Sequence, residues 1–279
     1  MEQNRMYSII VVCLNAGQRL QDTVESILGQ RYENFEVVVK DGGSSDGSIE
    51  MLGNIFQDER IRVYTQKDNG IYDAMNQAVK MAKGTYFLFM NTGDSFYDEE
   101  VLDKITCEIY RLERAGRKAD IIYGNMYHKA LDTVIYAAPE INDFTCYRNV
   151  PCHQTCFYRR TLFDGRGYNT EYNVRADYEH FLWCYYERGA EIRYVPVVVA
   201  SYEGGGYSET KENRKRSKSQ HREITVHYMG RKKADRYRLA MLLTLAPLRS
   251  AIADSKYLSV VYNGMKTAVY KVKDRARRV

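Results

Sequence analysis

Carboxylate side chains directly follow the apolar runs in the first hundred residues of this 279-residue chain. Asp41, Asp68 and Asp94 each come after a separate run, and Asp73 lies five residues beyond Asp68. Carboxylate oxygens are the ligands that Mg²⁺ and Mn²⁺ prefer, and they also accept hydrogen bonds from nucleobase N–H and ribose hydroxyl groups. The carboxylates therefore have two possible roles, to hold a diphosphate through a divalent metal or to bind a nucleobase or ribose directly.

An α/β scaffold is predicted to position these acids. Four segments are predicted as strands, at Ser8–Leu14, Phe35–Lys40, Arg60–Thr65 and Tyr86–Met90. The segments between them are predicted as helices, because their apolar residues recur at the spacing of one helix face. Alternating strands and helices predict right-handed crossovers, and hence a doubly wound, mostly parallel sheet with helices on both faces. All four polar turns would then lie along one edge of the sheet, where open α/β sheets bind ligands.

Familiar phosphate-binding motifs are missing from the chain. There is no Walker loop and no glycine fingerprint after the first strand, which disfavours an ordinary ATPase or dehydrogenase. The segment Cys152–Cys156 has a spacing that a metal site could use, but no second Cys/His pair accompanies it. The six cysteines show no paired pattern, so we expect reduced thiols.

Two further candidates for chemistry lie in the second half of the chain. Asp177 precedes residues whose apolar side chains repeat on one helix face, so it is predicted as an N-cap or first-turn residue. The segments Thr133–Ala138 and His153–Arg159 are predicted as strands. His153 begins the second, which is aromatic, and a histidine there could also be an ordinary core residue. The glycine-rich segment Gly204–Ser208 is interpreted either as a mobile loop over the site or as a surface hairpin.

Four segments in this order resemble glycosyltransferase family 2, namely Ser8–Val12, Val39–Ser48, Asp68–Asn76 and Met90–Asp94. The ordered set is specific although each segment alone is common, and it covers about residues 7–208. It is most similar to the bacterial polysaccharide branch that includes colanic acid and lipopolysaccharide-type transferases. The resemblance implies a GT-A fold, a nucleotide-diphosphate sugar donor (a UDP-sugar above all), Mg²⁺ or Mn²⁺, and inversion at the anomeric carbon.

The resemblance also implies a nucleotide pocket. Asp41 would hold the base or ribose of the donor, and Asn15 and Asp68 would line the same pocket. Asp73 would either contact the nucleotide or cap the helix that starts beside it.

The metal and the catalytic base are implied in the same way. Asp94 matches the last carboxylate of a DxD-like metal motif, whereas Asn91, expected beside the donor, and Gly93 stand where many relatives have aspartates. Asp177 matches the catalytic base. His153 would contact the donor diphosphate or support the metal.

Charge is divided unevenly along the chain. Residues 1–210 contain 22 Lys and Arg against 31 Asp and Glu, a net charge of −9, whereas residues 211–279 contain 19 against 5, a net charge of +14. We expect a GT-A domain over residues 1–210 and a basic, helical extension over residues 211–279. In this extension a basic helix is predicted over about residues 211–238, followed by apolar segments at 239–252 and 257–272. The extension could bind an anionic membrane, pack on the catalytic domain or form a homodimer interface, and no nucleic acid is expected because no reading module is recognisable.

The leading interpretation is a metal-dependent, inverting glycosyltransferase that transfers a sugar to a glycan or lipid-linked acceptor in surface polysaccharide synthesis. The run Ile9–Leu14 is too short for a signal-peptide core or a membrane span, so the expected location is the cytoplasm, at the inner face of the membrane. A sugar nucleotidyltransferase would need a phosphate loop that Asn15–Arg19 matches poorly. A non-catalytic nucleotide-sugar-binding scaffold is conceivable because Asn91 and Gly93 are not carboxylates.

Overall fold

The computed structural model describes residues 5–204 and 210–243. Strands and helices alternate through its first half, as the sequence predicts. In chain order the elements are β1 (Tyr7–Cys13), α1 (Gln18–Leu28), β2 (Phe35–Asp41), α2 (Ser48–Ile55), β3 (Ile61–Thr65), α3 (Ile71–Met81), β4 (Tyr86–Asn91), β5 (Ser95–Phe96), α4 (Val101–Arg114), β6 (Ile121–His128), β7 (Thr133–Ile135), α5 (Asp143–Arg148), β8 (Cys156–Arg159), α6 (Ala176–Tyr186), β9 (Ile192–Tyr202), α7 (Lys211–Met229) and α8 (Arg231–Leu243).

The strands in the described part of the chain form one sheet in the order β3-β2-β1-β4-β8-β6-β9-β5, with β7 paired to β6. Strands β1 to β4 pair in parallel, and β9 pairs in parallel with β6. The antiparallel pairs involve β5, β7 and β8. The doubly wound, parallel arrangement predicted for the first half of the chain is thus confirmed.

Helices cover both faces of the sheet because its strands alternate two sets of apolar side chains. In β1, Ile9 and Val11 belong to the cluster that includes α1, α2 and α4, whereas Ile10 and Val12 belong to the cluster that includes α3, α6 and α7. All four side chains are at most 8% exposed. Burying an aliphatic side chain of this size contributes about 1.5–3 kcal/mol, so the parallel strands are held from both sides.

Three elements differ from the sequence prediction. The segment His153–Arg159 is not one strand, because residues His153–Thr155 form a 3₁₀ turn and only Cys156–Arg159 is extended. The strand predicted at residues 133–138 is shorter and ends at Ile135. The single basic helix predicted over residues 211–238 is two helices, since Gly230 has a φ of 75° and ends α7.

The two C-terminal helices pack on the rest of the molecule. Ile224 and Thr225 of α7 and Ala234 of α8 are 0% exposed, and Lys233 forms an ion pair with Asp143 of α5. Residues 211–243 therefore pack on the part of the molecule that precedes them, and the domain boundary at residue 210 stays a prediction. The rest of the predicted apolar segments 239–252 and 257–272, and the loop after Gly204, lie outside the described residues.

Candidate active site

The polar turns of the parallel strands meet at one edge of the sheet. Cys13 of β1 is in register with Asp41 of β2, and Val12 is in register with Asn91 of β4. Because these strands run in the same direction, the loops that follow them leave the sheet side by side. This edge is the candidate site, as predicted from the order of strands and turns.

Asp41 and Asn15 fold the loop between β2 and α2. Asp41 is 1% exposed, and its Oδ1 accepts hydrogen bonds from the Ser44 N–H at 3.0 Å and the Ser44 hydroxyl at 2.6 Å, while Oδ2 accepts one from the Gly43 N–H at 3.1 Å. Asn15 lies across the same loop, where its Oδ1 accepts a hydrogen bond from the Ser45 N–H at 2.9 Å. Asn15 and Asp41 thus share one loop, and their contact with a base or ribose stays a prediction.

A buried lysine, which the sequence prediction missed, joins Asp68 to the Asp41 loop. Lys40 is 2% exposed, and its Nζ lies 2.8 Å from Asp68 Oδ2 and donates hydrogen bonds to the carbonyls of Gln66 at 2.6 Å and Asp41 at 3.0 Å. A buried charge requires such partners, because leaving it unpaired is costly. Asp68 is thereby held at the edge of the site, with its charge balanced by Lys40.

Asp73 serves the start of α3. Its Oδ2 accepts hydrogen bonds from the Asn69 N–H at 2.8 Å and from Gln77 Nε2 at 3.2 Å. The carboxylate thus satisfies a backbone donor just before the helix, as acidic side chains in a first turn commonly do. Contact between Asp73 and a nucleotide stays a prediction.

Asp94 lies in the turn after β4 and is 3% exposed. Gln154 Nε2 donates a hydrogen bond to its Oδ2 at 2.8 Å, and the Glu203 N–H donates one to its Oδ1 at 3.1 Å. Burial raises the pKa of Asp94, and these two hydrogen bonds offset only part of that effect. The carboxylate is therefore more easily protonated than an exposed aspartate.

Asp177 lies in the first turn of α6, as predicted, and two side chains hold its carboxylate. His153 Nδ1 lies 3.0 Å from Oδ2, and the Tyr72 hydroxyl donates to Oδ1 at 2.9 Å. Burial raises the pKa of Asp177, but the hydrogen bond and charge of His153, together with the hydrogen bonds from Tyr72 and the Tyr178 N–H, outweigh it, so the net pKa is lowered. With 27% of its side chain exposed, Asp177 is an ionised carboxylate that a substrate can reach.

One 3₁₀ turn connects the two acids. His153 reaches Asp177, and the next residue, Gln154, reaches Asp94. The other ring nitrogen of His153, Nε2, lies 3.3 Å from the Asn91 amide nitrogen. His153 therefore lies between Asp177 and Asn91, and its contact with the donor or the metal stays a prediction.

Helix α7 holds the segment that precedes Asp177. Gln220 accepts a hydrogen bond from the Val174 N–H at 3.2 Å and donates one to Asn173 Oδ1 at 2.9 Å. Arg175 donates a hydrogen bond from Nε to Ser217 Oγ at 2.8 Å. The basic extension therefore contributes to the geometry of the site, which its composition alone does not reveal.

A metal would find few protein ligands at this edge. No three His, Cys, Asp or Glu side chains of the described residues come together in a way that could hold a metal ion. Asp94 is the predicted carboxylate ligand, and Asn91 has a buried Oδ1 without a hydrogen-bond partner among the described residues. Such oxygen atoms suit Mg²⁺ or Mn²⁺, provided that a bound diphosphate supplies further oxygens.

An α/β sheet with acidic and amide side chains at the carboxyl ends of its strands belongs to the class of proteins that bind a ligand in the crevice outside those ends. Residues 8–174 match the family model Glycosyl transferase family 2, and the chain belongs to this family. It is 37% identical over 210 residues to a PGL/p-HBAD biosynthesis glycosyltransferase of Mycobacterium tuberculosis, which covers 74% of this chain and 80% of that protein.

Solved glycosyltransferase structures share the fold. The crystal structure of S. aureus TarS 1–349 in complex with UDP-GlcNAc has a TM-score of 0.60 at 18% identity, covering 80% of this chain and 71% of that one. The mannosyltransferase PcManGT from Pyrobaculum calidifontis, in complex with GDP-Man and Mn²⁺, has a TM-score of 0.61 at 16% identity, covering 98% and 88%. The predicted GT-A fold and the family resemblance are thus confirmed.

Proposed function

We propose that this glycosyltransferase moves a sugar from a nucleotide-diphosphate donor to a hydroxyl of a glycan or lipid-linked acceptor in surface polysaccharide synthesis, with inversion at the anomeric carbon. The observation that carries the proposal is the pairing of Asp177 with His153 and of Asp94 with Gln154 through one turn. This turn connects an ionised, reachable carboxylate with a buried carboxylate at the donor edge. Two such groups are what a direct displacement requires.

Asp177 is the proposed general base. As the acceptor oxygen bonds to the anomeric carbon, the bond from that carbon to the diphosphate oxygen breaks and its electron pair leaves with the diphosphate. The proton of the acceptor hydroxyl goes to the Asp177 carboxylate. The hydrogen bonds from His153 and Tyr72 fix the orientation of this carboxylate, and the lowered pKa keeps it ionised at neutral pH.

The donor is proposed to bind along the loops at Asn15, Asp41, Asp68 and Asn91. A UDP-sugar is our first choice, supported by the UDP-GlcNAc complex of a protein with the same fold, and the GDP-Man complex makes a GDP-sugar the alternative. Mg²⁺ or Mn²⁺, held by Asp94, would stabilise the negative charge of the departing diphosphate. Asp73 is proposed to support this pocket through α3.

The exposed side of α7 and α8 is proposed to contact an anionic membrane at the cytoplasmic face. Residues 211–243 are rich in Lys and Arg, and Leu239 and Leu242 are 57% and 52% exposed near the end of α8. Basic and apolar side chains together favour an anionic bilayer surface. Among the described residues, no helix has the length and apolar character needed to cross a bilayer.

Two substitutions test the proposed roles separately. Asp94→Asn should weaken metal-dependent donor binding, whereas Asp177→Asn should keep donor binding and reduce transfer by about a hundredfold or more, since general base catalysis contributes about 10²–10⁴-fold. Calorimetry measures donor binding and product formation measures transfer. Asp103→Asn on α4, at an exposed carboxylate, is the matched control. Full transfer and unchanged donor binding in both site variants would show that the assignment is wrong.

A further inference from the structure

A second carboxylate lies against the turn that carries Asp94. Gly93 has a φ of 97°, and a Cβ atom added there would overlap Glu203 Oε2. The same Cβ would lie 3.4 Å from Arg19 Cδ. The carboxylate of Glu203 thus occupies the space that any side chain at position 93 would need, so this position of Glu203 requires glycine at 93.

Strand pairing brings Glu203 to this place. Ser95 of β5 is in register with Ser201 of β9, so the residues just before β5 face the residues just after Ser201. The Glu203 N–H then donates a hydrogen bond to Asp94 Oδ1 at 3.1 Å. The two carboxylates therefore belong to one turn although they are far apart in the chain.

The Glu203 side chain is free to bind a ligand. It is exposed, and its carboxylate forms no ion pair or hydrogen bond with any residue in the described ranges. Lys129 Nζ approaches the same turn, 3.5 Å from the Gly93 carbonyl oxygen, and does not pair with Glu203. A carboxylate that merely balanced a surface cation would be expected to form that ion pair.

A third oxygen lies in the same turn. Asn91 accepts a hydrogen bond from the Asp94 N–H at its backbone carbonyl, at 3.1 Å, and its side-chain Oδ1 is buried without a hydrogen-bond partner in the described part of the chain. Two carboxylates and one amide oxygen are ligands that Mg²⁺ and Mn²⁺ favour, and two diphosphate oxygens with water would complete six.

We infer that Glu203 is a second carboxylate ligand of the divalent cation that binds with the donor diphosphate, in place of the carboxylate that Gly93 does not provide. The inference rests on the proposed function, because it requires a diphosphate donor at this edge. It assigns to the end of β9 a direct part in donor binding.

The test is the affinity of the whole chain for Mn²⁺ with UDP present and, in a separate experiment, with GDP present. The protein is titrated with MnCl₂, and the free Mn²⁺ is measured by its electron paramagnetic resonance signal. Glu203→Gln removes the charge with little change of shape and should weaken Mn²⁺ binding by about tenfold or more, a lower bound taken from the loss caused by removing groups that only support a ligand. Glu187→Gln, at an exposed glutamate after α6, should match the wild type.

Binding of nucleotide without metal separates the possible failures. If the wild type and Glu203→Gln bind Mn²⁺ equally well with nucleotide present, the inference about Glu203 is wrong while the proposed function stands. If the wild type binds UDP or GDP equally well with and without Mn²⁺, the cation at this turn is replaced by side chains such as Arg19 and Lys129, and the inference is again overturned. If the wild type binds neither UDP nor GDP, the proposed donor class fails, and the inference fails with it.

Discussion

Replacing His153 by Ala is the sharpest perturbation of the proposed base. The variant loses the hydrogen bond to Asp177 Oδ2, whose donor and acceptor lie 3.0 Å apart. A hydrogen bond to a charged group contributes about 1.5–3 kcal/mol, and about 1.4 kcal/mol corresponds to one pKa unit. Because 27% of the Asp177 side chain is exposed, water replaces part of the lost bond. We therefore expect the pKa of Asp177 to rise by about one unit, the low end of that range.

The pH dependence of kcat at saturating donor and Mn²⁺ reports this pKa, because kcat follows the ionisation of groups in the enzyme–substrate complex, whereas kcat/KM would also follow the raised pKa of Asp94 in the free enzyme. In the wild type the lowered pKa of Asp177 places the acid limb below about pH 4, the ordinary range of an aspartate. The limb should move up by about one unit in His153→Ala. The donor for this assay is identified by the nucleotide sugar that most raises the melting temperature with Mn²⁺ present.

The pH dependence of the free energy of unfolding tests the same pKa in a second way. A carboxyl group whose pKa is lowered by folding stabilises the folded state above its unfolded pKa, and this contribution is lost as the pH falls through the folded pKa. The wild type should therefore lose this part of its stability below about pH 4, and His153→Ala should lack it at neutral pH. His227→Ala, at an exposed histidine of α7, is the control. An acid limb at the same pH in His153→Ala and the wild type would refute the reasoning.

Three further predictions concern residues around the two acids. Gln154→Ala removes a hydrogen bond that lowers the pKa of Asp94, so Asp94 should be protonated more readily in the variant. Metal-dependent donor binding, measured by calorimetry, should therefore weaken more at pH 5.5 than at pH 7.5, and equal weakening at both pH values would contradict the prediction. Gln220→Ala should lower kcat by about tenfold and leave the donor KM unchanged, because it removes a neutral hydrogen bond to the Val174 N–H, and such a bond contributes about 1 kcal/mol or slightly more. Lys218→Ala is the control, and an unchanged kcat in Gln220→Ala would contradict the prediction. Lys40→Met leaves the partly buried Asp68 carboxylate without its ion-pair partner and should lower the free energy of unfolding in urea by about 3 kcal/mol, the low end for a buried pair, whereas a change under 1 kcal/mol would contradict a structural role for the pair.

The parallel half of the fold is predictable because its strands are buried on both faces. β1 and β4 are largely apolar, β2 has an apolar centre at residues 37–39, and glycine or asparagine marks the turn after each strand. The 3₁₀ turn at His153–Thr155 was missed because a short aromatic segment has no period that distinguishes a turn from a strand. The break at Gly230 had a signal, since glycine commonly ends helices, but the continuous basic composition concealed it.

The site is predictable only in part, for a physical reason. Asp41, Asp94 and Asp177 lie in local motifs, but the side chains that set their ionisation and geometry come from distant segments. Gln154 and Glu203 reach Asp94 from 60 and 109 residues away, and strand pairing brings them there. No local pattern encodes such contacts. Lys40 did have a signal, because a lysine inside an apolar strand requires a buried partner.

The configuration of the product tests the central claim most directly. Proton NMR of the newly formed glycosidic linkage, compared with the donor, gives the anomeric configuration before and after transfer. A direct displacement with Asp177 as the base on the face opposite the diphosphate predicts complete inversion. A product that retains the configuration of the donor would contradict the account, because retention requires either two displacements or a reaction on the same face.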